Sequence, residues 1–236
     1  ANPFRCPPGP YERASLVASY FKKHKPKSKI LILDAKSKFA KQGLFEAGWQ
    51  SEYPGMIEWV SMEMGGAVNQ VDPAMMTVTA ADVHKGNVVN IIPPQKAGKI
   101  AFDSGLTDQT GWCPVNQKTY ESSLVPNIHV VGDSSIAGPL PKSGYSANSE
   151  AKICAAAIVA LVNGRSAPEP SWVNTCYSLV APDYGISVAA VYKYEEGKTV
   201  SVKGAGGVSP KNGNKRLEAV YAQGWYDSIT QDIWKS

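Results

Sequence analysis

Residues 128–133 read Ile-His-Val-Val-Gly-Asp, and a loop rich in Gly, Pro and Ser connects them to an Ala-rich segment at 145–163. A short apolar run that ends in Gly-Asp predicts a buried strand with a carboxylate at its C-terminal end, where open α/β sheets bind ligands. Asp133 can accept hydrogen bonds from sugar hydroxyls there, and the helix predicted for 145–163 can turn its N-terminus toward an electron-rich ring. Such turns also occur without a ligand, so the motif alone leaves a nucleotide site and an ordinary turn as alternatives.

The N-terminal region carries the pattern of half a βαβ unit. Residues 10–24 predict a helix, with Pro10 in its first turn and one apolar face formed by Leu16, Val17, Tyr20 and Phe21. The run Ile30–Leu33 then predicts a buried parallel strand that ends at Asp34, the usual place of a ribose-binding acid in Rossmann-like domains. No Gly-x-Gly-x-x-Gly sequence follows a predicted strand, so if the chain is a flavoprotein, we expect the loop that binds the pyrophosphate upstream of Ala1.

The remaining segments complete an α/β pattern. Residues 164–170 have the composition of a linker, 204–213 that of a flexible Gly-rich loop, and 215–233 that of an amphipathic helix. Four short β-rich stretches predict an antiparallel meander: Met56–Met62, Ala67–Val71, Met75–Thr79 and Asn87–Ile92.

Composition excludes several classes of protein. Of the 236 residues 43% are hydrophobic and 19% are charged, which is enough apolar material for a core and unlike a disordered chain. The net charge of +4 is weak and scattered, so it does not indicate a nucleic-acid partner. The longest apolar run is too short to span a bilayer, and the three histidines lack metal-ligand spacing.

Four cysteines are too few for a disulfide scaffold but sufficient for one functional pair. Cys6 lies beside Arg5 in a Pro-rich stretch before the first predicted helix, a setting that stabilises a thiolate. Cys176 follows the linker. Cys154, within an apolar helix, and Cys113 have the pattern of small buried side chains and are expected to be free thiols.

Several of these stretches together resemble the flavoprotein subunit of flavocytochrome c sulfide dehydrogenase. The resemblance runs nearly end to end and extends to the tryptophan near the C-terminus. The stretches that carry it are Phe4-Arg5-Cys6-Pro7-Pro8-Gly9-Pro10-Tyr11-Glu12-Arg13-Ala14, Gly132-Asp133, Pro141-Lys142-Ser143-Gly144-Tyr145-Ser146-Ala147-Asn148, Asn174-Thr175-Cys176-Tyr177-Ser178 and Tyr184-Gly185-Ile186-Ser187-Val188.

The resemblance implies roles for particular residues. Cys6 and Cys176 match the redox-active pair that forms a disulfide beside the flavin, and Glu12 matches an acid that handles protons near it. Taken from its position alone, Glu12 is also an ordinary first-turn helix glutamate. The FAD-binding residues implied by the resemblance are Gly132, Asp133, Lys142, Ser143, Gly144, Tyr145 and Trp225.

The resemblance also implies a fold and an activity. The fold is α/β, with Rossmann-like FAD/NAD(P)-binding domains of the disulfide-reductase type and a small α+β C-terminal domain. Residues 1–95 correspond to part of the second nucleotide-binding-like domain, 96–166 to the C-terminal part of the FAD-binding domain, and 167–236 to the cytochrome-interface domain. The family's N-terminal FAD-binding portion has no counterpart in the sequence and is expected upstream.

The implied enzyme is a periplasmic oxidoreductase in electron transport. It oxidises hydrogen sulfide through the disulfide and FAD and passes electrons to a c-type cytochrome subunit, which alone carries haem c; no metal site is expected in this chain. The alternatives are a sulfide:quinone or NADH-linked flavin oxidoreductase and a non-catalytic fragment that binds only the cytochrome. The aromatic residues of the C-terminal domain suit an interface, although they also suit a small core.

Overall fold

The computed structural model of the protein describes residues 2–234, which form a mixed α/β structure of two compact units. The first unit contains Ala1–Gln95, Ser178–Ile186 and Lys211–Ala222, and the second contains Lys96–Tyr177, Ser187–Pro210 and Gln223–Ser236. Residues 167–236 are thus divided between the units, and the three-domain organisation stays a prediction. None of the described helices is long and apolar enough to cross a membrane.

The N-terminal half of the first unit alternates helices and parallel strands. Its elements are α1 (Gly9–His24), β1 (Ile30–Leu33), α2 (Gln42–Glu52) and β2 (Ile57–Val60). β1 and β2 pair in parallel from Ile30 opposite Ile57 to Leu33 opposite Val60. The helix predicted for 10–24 and the strand predicted for 30–33 are therefore confirmed.

The buried face of α1 differs from the predicted one. Leu16, Val17 and Tyr20 are exposed, whereas the side of the helix with smaller side chains faces the core. That side contains Tyr11, Ala14, Ser15 and Ala18, which follow the i, i+3, i+4, i+7 spacing of one helix face. Small residues allow the helix to lie close to the core, whose buried members are Tyr11, Ala18, Phe39, Leu44, Phe45, Trp49, Tyr53, Val180 and Ile186.

The meander predicted for 56–92 is shorter than expected. Its strands are β3 (Gln70–Asp72), β4 (Thr77–Thr79) and β5 (Val83–Lys85), which pair antiparallel in the order β3-β4-β5. The first predicted strand belongs instead to the parallel pair as β2. The last prediction, Asn87–Ile92, is wrong: this stretch forms neither helix nor strand, and the pairing partner of β4 is the preceding Val83–Lys85.

The second unit contains short elements followed by one long helix. These are α3 (Lys99–Asp103), β6 (Cys113–Pro114), a 3-10 turn (Gly132–Ser134), β7 (Ser135–Ile136) and α4 (Gly144–Val162). The strand predicted for 128–131 is absent, because His129 makes only an isolated bridge with Glu121 and no neighbouring strand extends it. The helix predicted for 145–163 is confirmed as α4, and residues 164–170 are free of helix and strand, as predicted.

Three long strands and a helix complete the chain. β8 (Ser171–Ala181), β9 (Tyr184–Glu195) and β10 (Lys198–Val208) form a sheet in the order β10-β9-β8, and α5 (Lys215–Trp234) confirms the predicted C-terminal helix. The flexible loop predicted from residue 204 is wrong up to Val208, since Gly206–Val208 pair with Val188–Ala190. A side chain on Gly206 would lie 2.4 Å from the carbonyl oxygen of Ala189, so the glycine permits close pairing.

Candidate functional site

The Cys6 thiol lies at the N-terminus of α1. Cys6 has a left-handed backbone (φ 51°), and its carbonyl accepts a hydrogen bond from the Gly9 N–H at 3.0 Å. A Cβ on Gly9 would lie only 2.8 Å from the Cys6 sulfur, so the sulfur packs directly over the first residue of the helix. The positive end of a helix dipole stabilises a thiolate in such a position.

Gln95 fastens the loop that carries Cys6. Its backbone N–H donates to the Pro3 carbonyl at 2.9 Å, and its side-chain Oε1 accepts from the Arg5 N–H at 2.5 Å. The Lys36 ammonium lies 5.1 Å from the centre of the Phe4 ring on the same loop. Pro3, Phe4 and Arg5, which form neither helix nor strand, are therefore each fixed by a contact immediately before Cys6.

Glu12, in the first turn of α1, accepts a hydrogen bond through Oε1 from the backbone N–H of Leu179 at 2.7 Å. The neighbouring Ser178 hydroxyl accepts a bond from the Lys41 ammonium at 2.9 Å. Glu12 is half-buried, and this bond links the first turn of α1 to β8. Its role in proton transfer stays a prediction.

Asp34 lies at the end of β1 and is almost completely buried, with 4% of its surface exposed. Oδ2 accepts from the Tyr11 hydroxyl at 2.5 Å and the Trp59 indole N–H at 3.0 Å. Oδ1 accepts from the backbone N–H and the ammonium of Lys36 at 3.1 and 2.6 Å. Although burial opposes ionisation, these bonds hold the pKa of Asp34 below its usual range. Both oxygens are thus occupied by protein donors, not available to a ribose.

The Gly132–Asp133 turn belongs to the second unit. Gly132 has φ +74°, a conformation that favours glycine, and its N–H donates to Oε2 of Glu150 at 2.5 Å. Asp133 follows with its carboxylate exposed, in a position to accept hydrogen bonds from a polyol chain. The turn thus presents its acid outward while its backbone is tied to the interior.

The start of α4 is fixed by buried hydroxyl groups. Ser143 is the N-cap residue, and its Oγ accepts from the Ser146 N–H at 3.2 Å and donates to Asn174 Oδ1 at 2.6 Å. Ser146 donates to the same amide oxygen at 3.1 Å. The Ser143 hydroxyl is therefore engaged within the protein, and the N–H groups of Gly144 and Tyr145 are those that the first helical turn leaves without carbonyl partners.

Lys142 immediately precedes this helix. Its ammonium donates to the Ser135 carbonyl at 2.5 Å and lies 3.4 Å from the Ser135 hydroxyl. The side chain is half-buried. A positive charge is thus held beside the helix start, where it and the helix dipole both favour an electron-rich or anionic ligand.

Three aromatic rings come together in the second unit. The Trp225 ring stacks on Tyr145 with centroids 6.1 Å apart and an interplanar angle of 11°, and it lies 6.2 Å from the Tyr177 ring. All three are half-buried. Tyr177 directly follows Cys176 on β8, so predicted residues from α4, β8 and α5 meet in one cluster.

The four cysteines differ in their surroundings. Cys6 is exposed and Cys176 is half-buried, whereas Cys113 and Cys154 are buried, and none of the four is joined to another by a disulfide in the structure. Burial raises the pKa of both Cys113 and Cys154, which disfavours their thiolate forms. Cys6 belongs to the first unit and Cys176 to the second, and their disulfide stays a prediction.

Three residues that hold candidate segments in place, Gln95 in the first unit and Asn174 and Glu150 in the second, were not predicted from the sequence. Gln95 lacked any signal, because one glutamine after a proline pair is indistinguishable from a loop residue. Asn174 directly precedes Thr175-Cys176 and is 2% exposed. Glu150 carried the clearest signal, since it is the sole acidic residue of α4. Within the described part of the chain, no group of His, Cys, Asp or Glu has the arrangement of a metal site.

Two family profiles match the sequence. The first, described as the central part of the sulfide dehydrogenase [flavocytochrome c] flavoprotein chain, matches residues 1–93. The second, described as the flavin-binding part of flavocytochrome c sulphide dehydrogenase, matches residues 168–234, and together they cover more than half of the chain. The chain belongs to this flavoprotein family.

The fold also resembles a chain of known structure. The similar chain is part of the cryo-EM structure of the Tetrahymena thermophila mitochondrial ATP synthase F1Fo composite tetramer, with a TM-score of 0.57 and 14% identity. The likeness covers 92% of this chain and 53% of that one, so this chain spans about half the length of the protein it matches. At this identity the likeness concerns the fold alone.

The match to the family's flavin-binding segment assigns FAD as the cofactor. The second unit has a donor and acceptor set that suits this group. Asp133 presents acceptors for hydroxyl groups, Lys142 and the first N–H groups of α4 present positive charge, and the Tyr145–Trp225 stack presents apolar ring surface. The residues therefore fit a flavin, although the glycine loop for its pyrophosphate is absent from the sequence.

Proposed function

We propose that this chain works in a sulfide dehydrogenase that oxidises hydrogen sulfide through a redox-active disulfide and FAD. The observation that carries the proposal is the cluster of Tyr145, Tyr177 and Trp225, next to Cys176 in the chain. Two of these rings, like Cys176, lie in the segment that matches the family's flavin-binding part. The site thus combines a ring-binding surface with a thiol on the same strand.

The chemical step takes place at the disulfide of Cys6 and Cys176. Hydrosulfide attacks one sulfur, the S–S bond breaks, and a persulfide and a cysteine thiolate form, so that sulfide is oxidised and the disulfide is reduced. The Cys6 sulfur packs over the first residue of α1, and the helix dipole stabilises a thiolate there. This supports Cys6 as the released thiolate and Cys176 as the sulfur that is attacked.

Glu12 accepts the proton that hydrogen sulfide loses. Its Oε1 is held by the Leu179 N–H, which fixes the carboxylate and leaves Oε2 for the proton. Because α1 also begins beside Cys6, one helix positions both the acid and the thiol. Replacement of Glu12 by Gln is expected to slow the step at the disulfide while leaving flavin content unchanged.

The flavin-binding residues hold and orient the cofactor. When bound, FAD accepts two electrons and releases them singly. Asp133 would hold the ribityl hydroxyls of a bound FAD, and Lys142, Gly144 and Tyr145 would hold the pyrimidine part of its ring system. Gly132 shapes the turn, and Ser143 contributes by capping α4 and not by direct contact, because its hydroxyl is bound to Asn174. A Rossmann-like FAD-binding domain is formed together with the family's N-terminal portion.

Electrons leave toward a c-type cytochrome subunit, as the family name implies. Trp225 provides an aromatic contact toward the cytochrome, and the exposed aromatics Tyr226 and Trp234 of the same helix belong to the docking surface, whereas Trp172 and Tyr192 are buried and serve the core. Replacement of Trp225 by Ala is expected to slow cytochrome reduction while flavin reduction by sulfide persists. Val220→Ala, in the same helix and 58% exposed, is the control. Equal loss of both steps in Trp225→Ala would contradict this role.

Three alternatives to the cytochrome-linked enzyme can be distinguished. An NADH-linked activity is disfavoured by Asp34, since both of its oxygens are occupied by Tyr11, Trp59 and Lys36. A quinone-linked activity predicts sulfide-dependent quinone reduction without the cytochrome, and a non-catalytic fragment predicts a colourless protein. The enzyme is proposed to work in the periplasm, with its cytochrome, which fractionation of cells by osmotic shock would test.

The deciding experiment uses sulfide-dependent cytochrome reduction by the purified flavoprotein–cytochrome complex. Cys176→Ser is expected to abolish it and to remove the Cys6–Cys176 linked peptide from a non-reducing digest. Cys154→Ser, at a buried free thiol, is the matched control and is expected to retain both. A Cys176→Ser complex that still reduces the cytochrome at the wild-type rate would overturn the disulfide mechanism.

A further inference from the structure

Glu150 is a buried acid to which the proposed mechanism gives no part. It lies in α4 with 0% of its surface exposed. Its Oε2 accepts from the Gly132 N–H at 2.5 Å and from the Ser135 hydroxyl at 3.3 Å. Its other oxygen, Oε1, has no hydrogen-bond partner among the described residues. A carboxylate whose second oxygen lacks a donor is costly in such a place.

Burial raises the pKa of Glu150 and is the largest effect on it. The nearby charges act in opposite directions: the Lys142 ammonium, bonded to the Ser135 carbonyl and hydroxyl, favours the ionised form, and Asp133 in the turn opposes it. Tyr120 and Cys154 are neutral groups with raised pKa values. Burial therefore prevails over the Lys142 charge and over the bonds from Gly132 and Ser135.

Three residues of the proposed flavin-facing segment are connected to the Glu150 carboxyl group, directly, through Ser135 or through the chain. Gly132 is bonded to it directly, and Lys142 is connected to it through Ser135. Asp133 follows Gly132, so the direction of its side chain depends on how the Gly132 peptide is held. The carboxyl group therefore lies behind the turn and the lysine, where it fixes both without reaching a ligand itself.

We propose that Glu150 is a positioning residue that stays a neutral carboxylic acid at neutral pH, with its proton on Oε1 and its Oε2 accepting from Gly132 and Ser135. In this form it holds the Gly132–Asp133 turn and, through Ser135, the Lys142 ammonium. The flavin-facing part of this role rests on the proposed function, whereas the protonation state and the hold on Gly132 do not.

The protonation state is tested by the pH dependence of thermal unfolding of the chain. A carboxyl group with a raised pKa contributes stability that is present below its unfolded-state pKa, about 4.3, and is lost as the pH rises through its folded-state pKa. Glu150→Gln removes this loss, so its Tm is expected to fall less than the wild-type Tm between pH 4 and pH 8. Glu169→Gln, at an exposed position, should follow the wild-type curve. Parallel wild-type and Glu150→Gln curves would overturn the neutral acid.

The hold on Gly132 is tested by the amide proton signal of Gly132 in nuclear magnetic resonance spectra. In the wild-type chain this signal is expected to shift as Glu150 titrates. In Glu150→Gln it should be independent of pH but near its low-pH wild-type position, because the amide oxygen still accepts the bond. In Glu150→Ala it should move to the position of an unbonded amide. A signal that is the same in all three proteins would overturn the positioning role.

The flavin-facing consequence is measured separately in the flavin-loaded protein. Loss of one buried hydrogen bond corresponds to about tenfold in binding, so Glu150→Ala is expected to raise the FAD dissociation constant about tenfold, with rescue by Glu150→Gln. Equal FAD affinity in wild type and Glu150→Ala would overturn this part alone. A wild-type protein that binds no FAD would overturn the proposed function, while the unfolding and resonance results would still decide the role of Glu150 in the turn.

Discussion

The two units each bury one acidic side chain in a hydrogen-bonded cluster, and the two acids behave in opposite ways. Asp34 in the first unit is 4% exposed and receives four donors, including the Lys36 ammonium, on its two oxygens. Glu150 in the second unit is 0% exposed and receives two donors on one oxygen. The pKa of Asp34 is lowered, whereas that of Glu150 is raised.

Burial therefore does not decide the charge of an acid in this protein. Desolvation opposes ionisation at both positions, and the difference comes from the number and charge of the donors. The ionised acid ends a strand of the parallel pair, where it joins α1, β1 and β2 into one structure. The neutral acid lies behind a turn whose outer surface is proposed to meet a ligand. One cluster serves stability and the other serves the shape of a site.

The largest expected effect is that of Asp34→Ala. The substitution leaves the Tyr11 hydroxyl and the Lys36 ammonium, whose side chain is 14% exposed, without their anion. Breaking a buried ion pair in this way costs about 3–5 kcal/mol, which urea unfolding will measure. Asp103→Ala removes an exposed ion pair with Lys99 and is expected to cost less than about 1 kcal/mol. Similar losses in both variants would remove the distinction drawn for Asp34.

A smaller loss is expected for Tyr11→Phe. The hydroxyl is buried and donates to Asp34 at 2.5 Å, so its removal takes one donor from a charged acceptor and costs about 1.5–3 kcal/mol. The pKa of Asp34 should rise at the same time. Tyr20→Phe is the matched control on the same helix, since Tyr20 is 54% exposed and its loss of a hydroxyl should change the unfolding free energy by less than about 0.5 kcal/mol.

Because the pKa shifts of Asp34 and Glu150 have opposite signs, the two acids should change the free energy of unfolding in different pH ranges. Since the folded-state pKa of Asp34 is lowered, its stabilisation is present above its unfolded-state pKa, about 3.9, and is lost as the pH falls toward the folded-state pKa. Asp34→Asn should therefore flatten the unfolding curve only below about pH 4, whereas Glu150→Gln should flatten it only above that pH. Free energies of unfolding from pH 2 to pH 8 will check this. If both variants reduced the pH dependence of the unfolding free energy in the same pH range, the contrast between the two acids would be wrong.

The smallest effect is expected for Ser135→Ala. Its hydroxyl is buried and lies 3.3 Å from the Glu150 oxygen and 2.8 Å from the Gly132 carbonyl. Loss of these neutral bonds costs about 1 kcal/mol and leaves the Gly132–Glu150 bond in place. Ser134→Ala, at the half-buried neighbouring position, should change stability by less than about 0.5 kcal/mol. A loss for Ser135→Ala as large as that for Asp34→Ala would show that the second cluster also serves stability.

Helices α1, α4 and α5 were predicted from the sequence, but α2 and α3 were not, and the N-cap residues of these two, Lys41 and Gly98, make no side-chain capping bond. Local signals mark the start and the end of α1 and α4. Pro10 and Pro26 bound α1, Ser143 caps α4, and Gly164 follows its end with φ +67°. Strands need partners that the sequence does not name. The stretch 128–131 has the residues of a strand, yet its backbone bonds go singly to Tyr120 and Ser122, so no ladder forms. The β-propensity of residues 128–131 was therefore not sufficient to predict a strand there.

The site was predictable where resemblance or local motif named a residue, and not where folding created a contact. The resemblance to the family named Tyr145 and Trp225 as site residues, and their rings stack in the structure. The role of Asp34 was open in the sequence, because its occupation by Tyr11 and Trp59 joins residues more than twenty positions away. Gln95 contacts Arg5 across 90 positions, and no local pattern encodes such a bond.

The two hydrogen bonds that Gln95 makes with Pro3 and Arg5 affect the timescale on which the Cys6 loop moves. The amide protons of Arg5 and Gln95 are both bonded, so they should exchange with deuterated solvent much more slowly than other loop amides near the N-terminus. A loop that is already ordered loses little conformational freedom when its thiol reacts. In the proposed disulfide mechanism, Cys6 would therefore go through cycles of oxidation and reduction without a search through many backbone conformations.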